Sequence, residues 1–137
     1  GMRAHEGSGG VQKKGCLALC NIAAGTDDDV SARRQRAAEV GAIEAIVAGM
    51  RAHEGLGGVQ EEGCLALHNI VDGMDDDSDA RSQRASEAGA IEAIVAGMRV
   101  HEGLGGVQEE GCLALHNIVD GMDDDSDARS QRASEAG

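Results

Sequence analysis

The 137-residue chain contains no phenylalanine, tyrosine, tryptophan or proline. Without aromatic rings it has nothing on which nucleobases stack. Positive charge is also scarce: 12 Lys and Arg stand against 25 Asp and Glu, a net charge of -13 that repels phosphate backbones and anionic lipid surfaces. Neither nucleic acid nor membrane is expected as a partner. Long apolar runs are missing too. None approaches the roughly 20 residues a membrane helix needs, and the start GMRAHEG lacks the apolar stretch of a secretory signal. The chain reads as soluble and not exported.

Cysteine is present but sparse, at Cys16, Cys20, Cys64 and Cys112. Three of the four recur at one fixed spacing inside apolar segments, as core positions do. They are expected to be reduced thiols in a cytoplasmic or nuclear protein. Two disulfides would require cysteines in equivalent turns of stacked units to come within bonding distance, which their placement disfavours.

The chain is rich in repetition. Shifted by 48 residues it aligns Met2 with Met50 and Met98, Cys16 with Cys64 and Cys112, and Asn21 with Asn69 and Asn117. Residues 50–89 and 98–137 differ only at Ala52 against Val100, whereas the first copy has drifted, with CLALC at 16–20 where the second has CLALH. Such near-identity points to recent duplication or deliberate construction. A period of this size predicts stacked supersecondary units, each unable to bury its apolar face alone.

Within one period, residues 58–72 (GVQEEGCLALHNIVD) predict a long helix. On a helical wheel Val59, Gly63, Cys64, Ala66, Leu67, Ile70 and Val71 share one half, which is expected to be buried. The opposite half collects Glu61, Glu62, Leu65, Asn69 and Asp72, with His68 at the border. Residues 41–53 predict a second helix through Ile43, Ile46, Val47 and Met50. Residues 79–88 predict a short polar one, in which Ala80, Arg81, Arg84, Ala85 and Ala88 are spaced three and four apart. Gly41 and Gly89 fall between the short helix and the next, where a positive φ allows a sharp turn. Gly49 and Gly97 lie inside a helical pattern at a cost of roughly 1 kcal/mol each against alanine, so another element is expected to pack closely there. Asp75, Asp76 and Asp77 open a solvated connection whose charge suits the start of the short helix.

Three helices per unit, with the order EAGAIEAIVAGM then VQEEGCLALHNI, resemble the armadillo repeat. The resemblance runs through all three copies and rests on the turn glycine, the apolar helix after it and the Asn near the end of the long helix. Two departures stand out: the period is longer than usual, the extra residues lying in 73–82, and Leu17, Leu65 and Leu113 stand where the family often has tryptophan. The two-helix HEAT repeat is the runner-up. The expected fold is thus all-α, a right-handed α-solenoid of about three armadillo-like repeats. Residues 1–137 form a single array (partial 1–41, then 42–89 and 90–137), cut mid-repeat at both ends. Lys13 and Lys14 take the places of Glu61, Glu62 and Glu109, Glu110, giving a basic head and an acidic tail. Head-to-tail self-association is a further expectation.

The polar face of the long helices is the candidate site. Helices stacked about 8–10 Å apart form ladders of equivalent residues, a spacing an extended peptide matches in roughly three residues. Each amide of Asn21, Asn69 and Asn117 offers both a donor and an acceptor to a peptide backbone, which is similar to how the armadillo family uses its concave groove. Leu17, Leu65 and Leu113 would supply apolar floor, while Glu61, Glu62, Asp72, Glu109, Glu110 and Asp120 favour a basic peptide. The plainer reading has the asparagines bonding the neighbouring turn and the carboxylates solvating the surface.

Other chemistry is weakly signalled. Cys64 with His68, and Cys112 with His116, have the spacing of paired zinc ligands, but no third ligand is evident. Asp75, Asp77 and Asp79 match the start of a calcium loop, yet Ala80 replaces its turn glycine and Glu87 comes one residue late. GLGG before the long helix lacks the phosphate-loop lysine, and no nucleophile repeats beside a base. The expectation is a non-enzymatic scaffold for proteins or peptides, with no metal site and no cofactor. The alternatives are a structural or engineered repeat without a natural ligand and a weak metal-binding repeat.

Overall fold

In the computed structural model, which describes residues 9–25, 27–73 and 77–120, the chain is all-helical. The helices in order are α1 (Gly9–Ala23), α2 (Val30–Glu39), α3 (Ala42–Ala52), α4 (Gly57–Val71), α5 (Ser78–Glu87), α6 (Ala90–Val100) and α7 (Gly105–Asp120). The segments predicted at 41–53, 58–72 and 79–88 are α3, α4 and α5, displaced by about a residue at their ends. No helix of the described residues is long and apolar enough to cross a membrane.

The long helices α1, α4 and α7 lie side by side, α3 packs on α4, α6 packs on α7, and the short helices α2 and α5 fill the flanks. Gly41 and Gly89 hold φ of 87° and 89°, the left-handed region that a side chain rarely enters, and so turn the short helix sharply into the next. Val59, Gly63, Cys64, Ala66, Leu67, Ile70 and Val71 are all buried on α4, as their wheel position requires. Of these, Cys64, Ala66, Leu67, Ile70 and Val71 join residues of the other helices in one core continuous from Cys16 to Ile118.

The short helix differs from its sequence pattern. Ser78, Arg81, Ser82 and Ala85 are its buried residues, while Ala80 and Arg84 are exposed. The cause is Arg81, only 1% exposed. Its Nε donates to Ile70 O at 2.7 Å, and its Nη2 donates to Asp72 O at 3.0 Å. Those carbonyls end α4 and have no partner within the helix, so the guanidinium closes it and complements its dipole. Arg33 does the same for α1, through Ile22 O at 2.8 Å and Ala24 O at 3.2 Å. Arg33 also grips Asp27 at 2.8 Å and holds that carboxyl down at about 2.

The helical glycines have the close neighbours expected of them. A Cβ on Gly97 would lie 2.5 Å from Gln60 Oε1, and one on Gly49 equally close to Gln12 Oε1. Gln60 is fully buried, and its Nε2 donates to Met50 O and His53 O, both at 2.9 Å. Gln108 repeats this with Met98 O at 2.8 Å and His101 O at 3.0 Å. Each glutamine thus fastens the end of the middle helix to the start of the long one. In Gln60 the remaining oxygen rests against the glycine backbone of the following unit.

All four cysteines are free thiols, with Cys16, Cys20 and Cys64 buried and Cys112 exposed. Burial, reinforced by Glu62 at Cys16 and by Glu110 at Cys64, pushes the Cys16 and Cys64 thiols from the ordinary 9.0 up to about 12. At pH 8 they are expected to stay protonated and resist maleimide while Cys112 reacts, which peptide mapping of the alkylated protein checks. Because folding raises these pKa values, the stability they contribute is intact below pH 9 and falls as pH climbs from 9 towards 12. Equal labelling of Cys64 and Cys112 in native protein contradicts this placement.

Candidate interaction surface

The outward stripe of the stack is built from the same turns of each long helix. On α4 it comprises Glu61, Leu65, His68 and Asp72, and on α7 Glu109, Leu113, His116 and Asp120. These residues recur three and four apart, so the geometry of one helix aligns them and the stacking of helices sets the rows in parallel. α1 contributes Lys13, Leu17 and Asn21. Leu17 and Leu113 are 43% and 41% exposed, while Leu65, between them, is half-buried.

Two of the asparagines face the seams. Asn69 Nδ2 donates to Cys20 O at 3.2 Å and to Cys20 Sγ at 3.1 Å. Asn117 Nδ2 lies 2.8 Å from His68 Nδ1 and 3.5 Å from both His68 O and Asp72 Oδ1. Each amide nitrogen therefore stitches its long helix to the preceding one. Donation to His68 requires Nδ1 to be the unprotonated nitrogen of that ring. Asn21 is exposed, and its side chain has no hydrogen bond among the described residues. The backbone-holding role expected of the three asparagines thus loses its donors at Asn69 and Asn117, leaving the Oδ1 acceptors.

The carboxylates divide into two kinds. Glu61 and Glu109 are exposed, whereas Glu62 and Glu110 turn one oxygen, Oε2, into the seam without a hydrogen-bond partner. Burial, then the negative charge of Glu109, raises the Glu110 carboxyl above its ordinary value; Glu61 and Glu62 add to this and His68 opposes it. Asp72 stands 3.7 Å from the Arg34 guanidinium, and Asp120 stands 3.1 Å from His116 Nε2. Glu61 and Glu109 are exposed carboxylates of the stripe with no ion pair among the described residues.

Three features escaped the sequence reading. His68 and His116 belong to the stripe. Arg34 and Arg81 are buried charges, Arg34 bonding Ala23 O at 2.9 Å and reaching the next long helix at Asp72 O, 3.3 Å away. The glutamines, buried at Gln12 and Gln60 and half-buried at Gln108, are the most visible of the three, because they hold one register in all three copies, including the diverged first. No group of three or more metal-ligating side chains comes together among the described residues. Asp75, the first residue of the calcium-loop reading, lies outside the described residues.

No protein family, no curated protein and no solved structure matches the chain.

Proposed function

We propose that the chain is a non-enzymatic interaction scaffold, an armadillo-like right-handed solenoid that binds extended basic peptide segments across its long helices. The observation carrying this reading is the parallel repetition of an exposed carboxylate and a leucine on adjacent long helices, Glu61 with Leu65 and Glu109 with Leu113. A peptide lying across the rows would meet apolar contact and negative charge once per helix, and the charge would steer basic segments towards it.

The test is titration of a fluorescent Lys/Arg-rich peptide at low and high salt. Binding is expected to weaken about tenfold between roughly 50 and 300 mM salt, as exposed charges are screened. It is expected to vanish in the double variant Glu61→Lys, Glu109→Lys. Absent or salt-indifferent binding overturns the reading. A second reading, a structural repeat without a ligand, is favoured by the donation of Asn69 and Asn117 within the stack.

A further inference from the structure

The α1–α2 end of the stack carries a cavity of about 390 Å³ lined by Leu19, Ile22, Ala32, Arg36, Ala37 and Val40 among others. Ile22 is 47% exposed and Val40 is 68% exposed. The repeat supplies an internal copy of this surface. One period later Leu19 and Ile22 become Leu67 and Ile70, both fully buried in α4, against which α2 and α3 are packed. Arg36 becomes Arg84, whose Nε donates to Glu44 Oε2 at 2.9 Å, joining α5 to α3. Arg36 itself is exposed and its guanidinium has no partner among the described residues. The surface is therefore an apolar floor whose edge carries Arg36, with Asp29 and the Asp27-bound Arg33 beside it, and its buried counterpart shows the shape and charge that close it.

We propose that this end face docks a helix pair of the α2–α3 type, whose middle helix presents a first-turn glutamate to Arg36 as Glu44 is presented to Arg84. The apolar side of that pair covers Leu19 and Ile22. The site is distinct from the stripe over the long helices and takes a folded helical partner instead of an extended one. Its charge preference is also the opposite, since an acidic residue is recognised by arginine on a chain that is otherwise strongly acidic.

The probe is a fluorescein-labelled peptide with the sequence of residues 30–48, titrated into the full chain and followed by anisotropy. Saturable binding is expected, weakened about tenfold by Arg36→Glu as an attraction becomes a repulsion. On that variant, a peptide carrying Glu44→Arg is expected to restore the affinity. Ile22→Asp is expected to abolish binding of either peptide. Both altered residues are exposed, so circular dichroism of the variants is expected to match the parent. No saturable binding, or binding indifferent to Arg36→Glu and Ile22→Asp, overturns the proposal.

Discussion

Replacing Arg81 with methionine is expected to cost about 3 kcal/mol of stability, a large share of the roughly 5–15 kcal/mol typical of a domain. Methionine fills much of the same space but leaves Ile70 O and Gln35 Oε1 without the donors that now reach them at 2.7 and 3.2 Å, and leaves Asp72 O with only the longer bond from Arg34 at 3.3 Å in place of the one at 3.0 Å. A buried acceptor stripped of its partner loses its hydration without compensation, at about 1–3 kcal/mol each. The measurement is urea unfolding followed by circular dichroism. Arg81→Lys is expected to recover little, since an ammonium lacks the planar fork that serves two carbonyls and an amide together. Arg33→Met, at a side chain 35% exposed, is expected to cost less, because water can solvate the carbonyls it leaves behind. A loss below about 1 kcal/mol for Arg81→Met shows that the guanidinium is a passive passenger.

Gly97→Ala is expected to destabilise by about 1–3 kcal/mol, the reverse of the gain of about 1 kcal/mol that alanine gives in an ordinary helix interior. The added methyl would lie 2.5 Å from Gln60 Oε1 and 3.2 Å from Gln60 Cδ. Gln60 has no free direction in which to retreat, being fully buried and tied to Met50 O and His53 O. On a Gln60→Ala background the same change at Gly97 is expected to turn neutral or stabilising, so a double-mutant cycle isolates the contact. Additive effects across that cycle show that the glycine is tolerated for another reason.

The comparison of Leu67 with Gln60 shows where sequence reading succeeds and where it stops. Leu67, Ile70 and Val71 announce themselves because burial follows apolar character, and the helical period then assigns them a face. Gly41 and Gly89 announce themselves because their position between two helical patterns calls for a left-handed residue. Gln60 and Arg81 do not, since polar residues are assigned to the surface by default. Their burial depends on carbonyls at helix ends whose positions are set only by packing. The Asn ladder was visible as a register, but its direction was not. Amides can turn towards a ligand or towards the neighbouring helix with the same spacing, and at Asn69 and Asn117 the donor turns inward. The carboxylates divide in the same way: of the adjacent residues Glu61 and Glu62, the first is exposed and the second turns an oxygen into a seam whose place the wheel alone does not fix.

The stitches between helices have a consequence for how the molecule is made. The longest side-chain hydrogen bonds described, from Asn69 to Cys20 and from Asn117 to His68, span 49 residues, one period and one position more. The side-chain hydrogen bonds described thus run no farther than between neighbouring layers, so a layer need not wait for a distant segment of the chain before it packs. Assembly during translation is free to proceed layer by layer, each new long helix packing on the one made before it while its far face waits for the next.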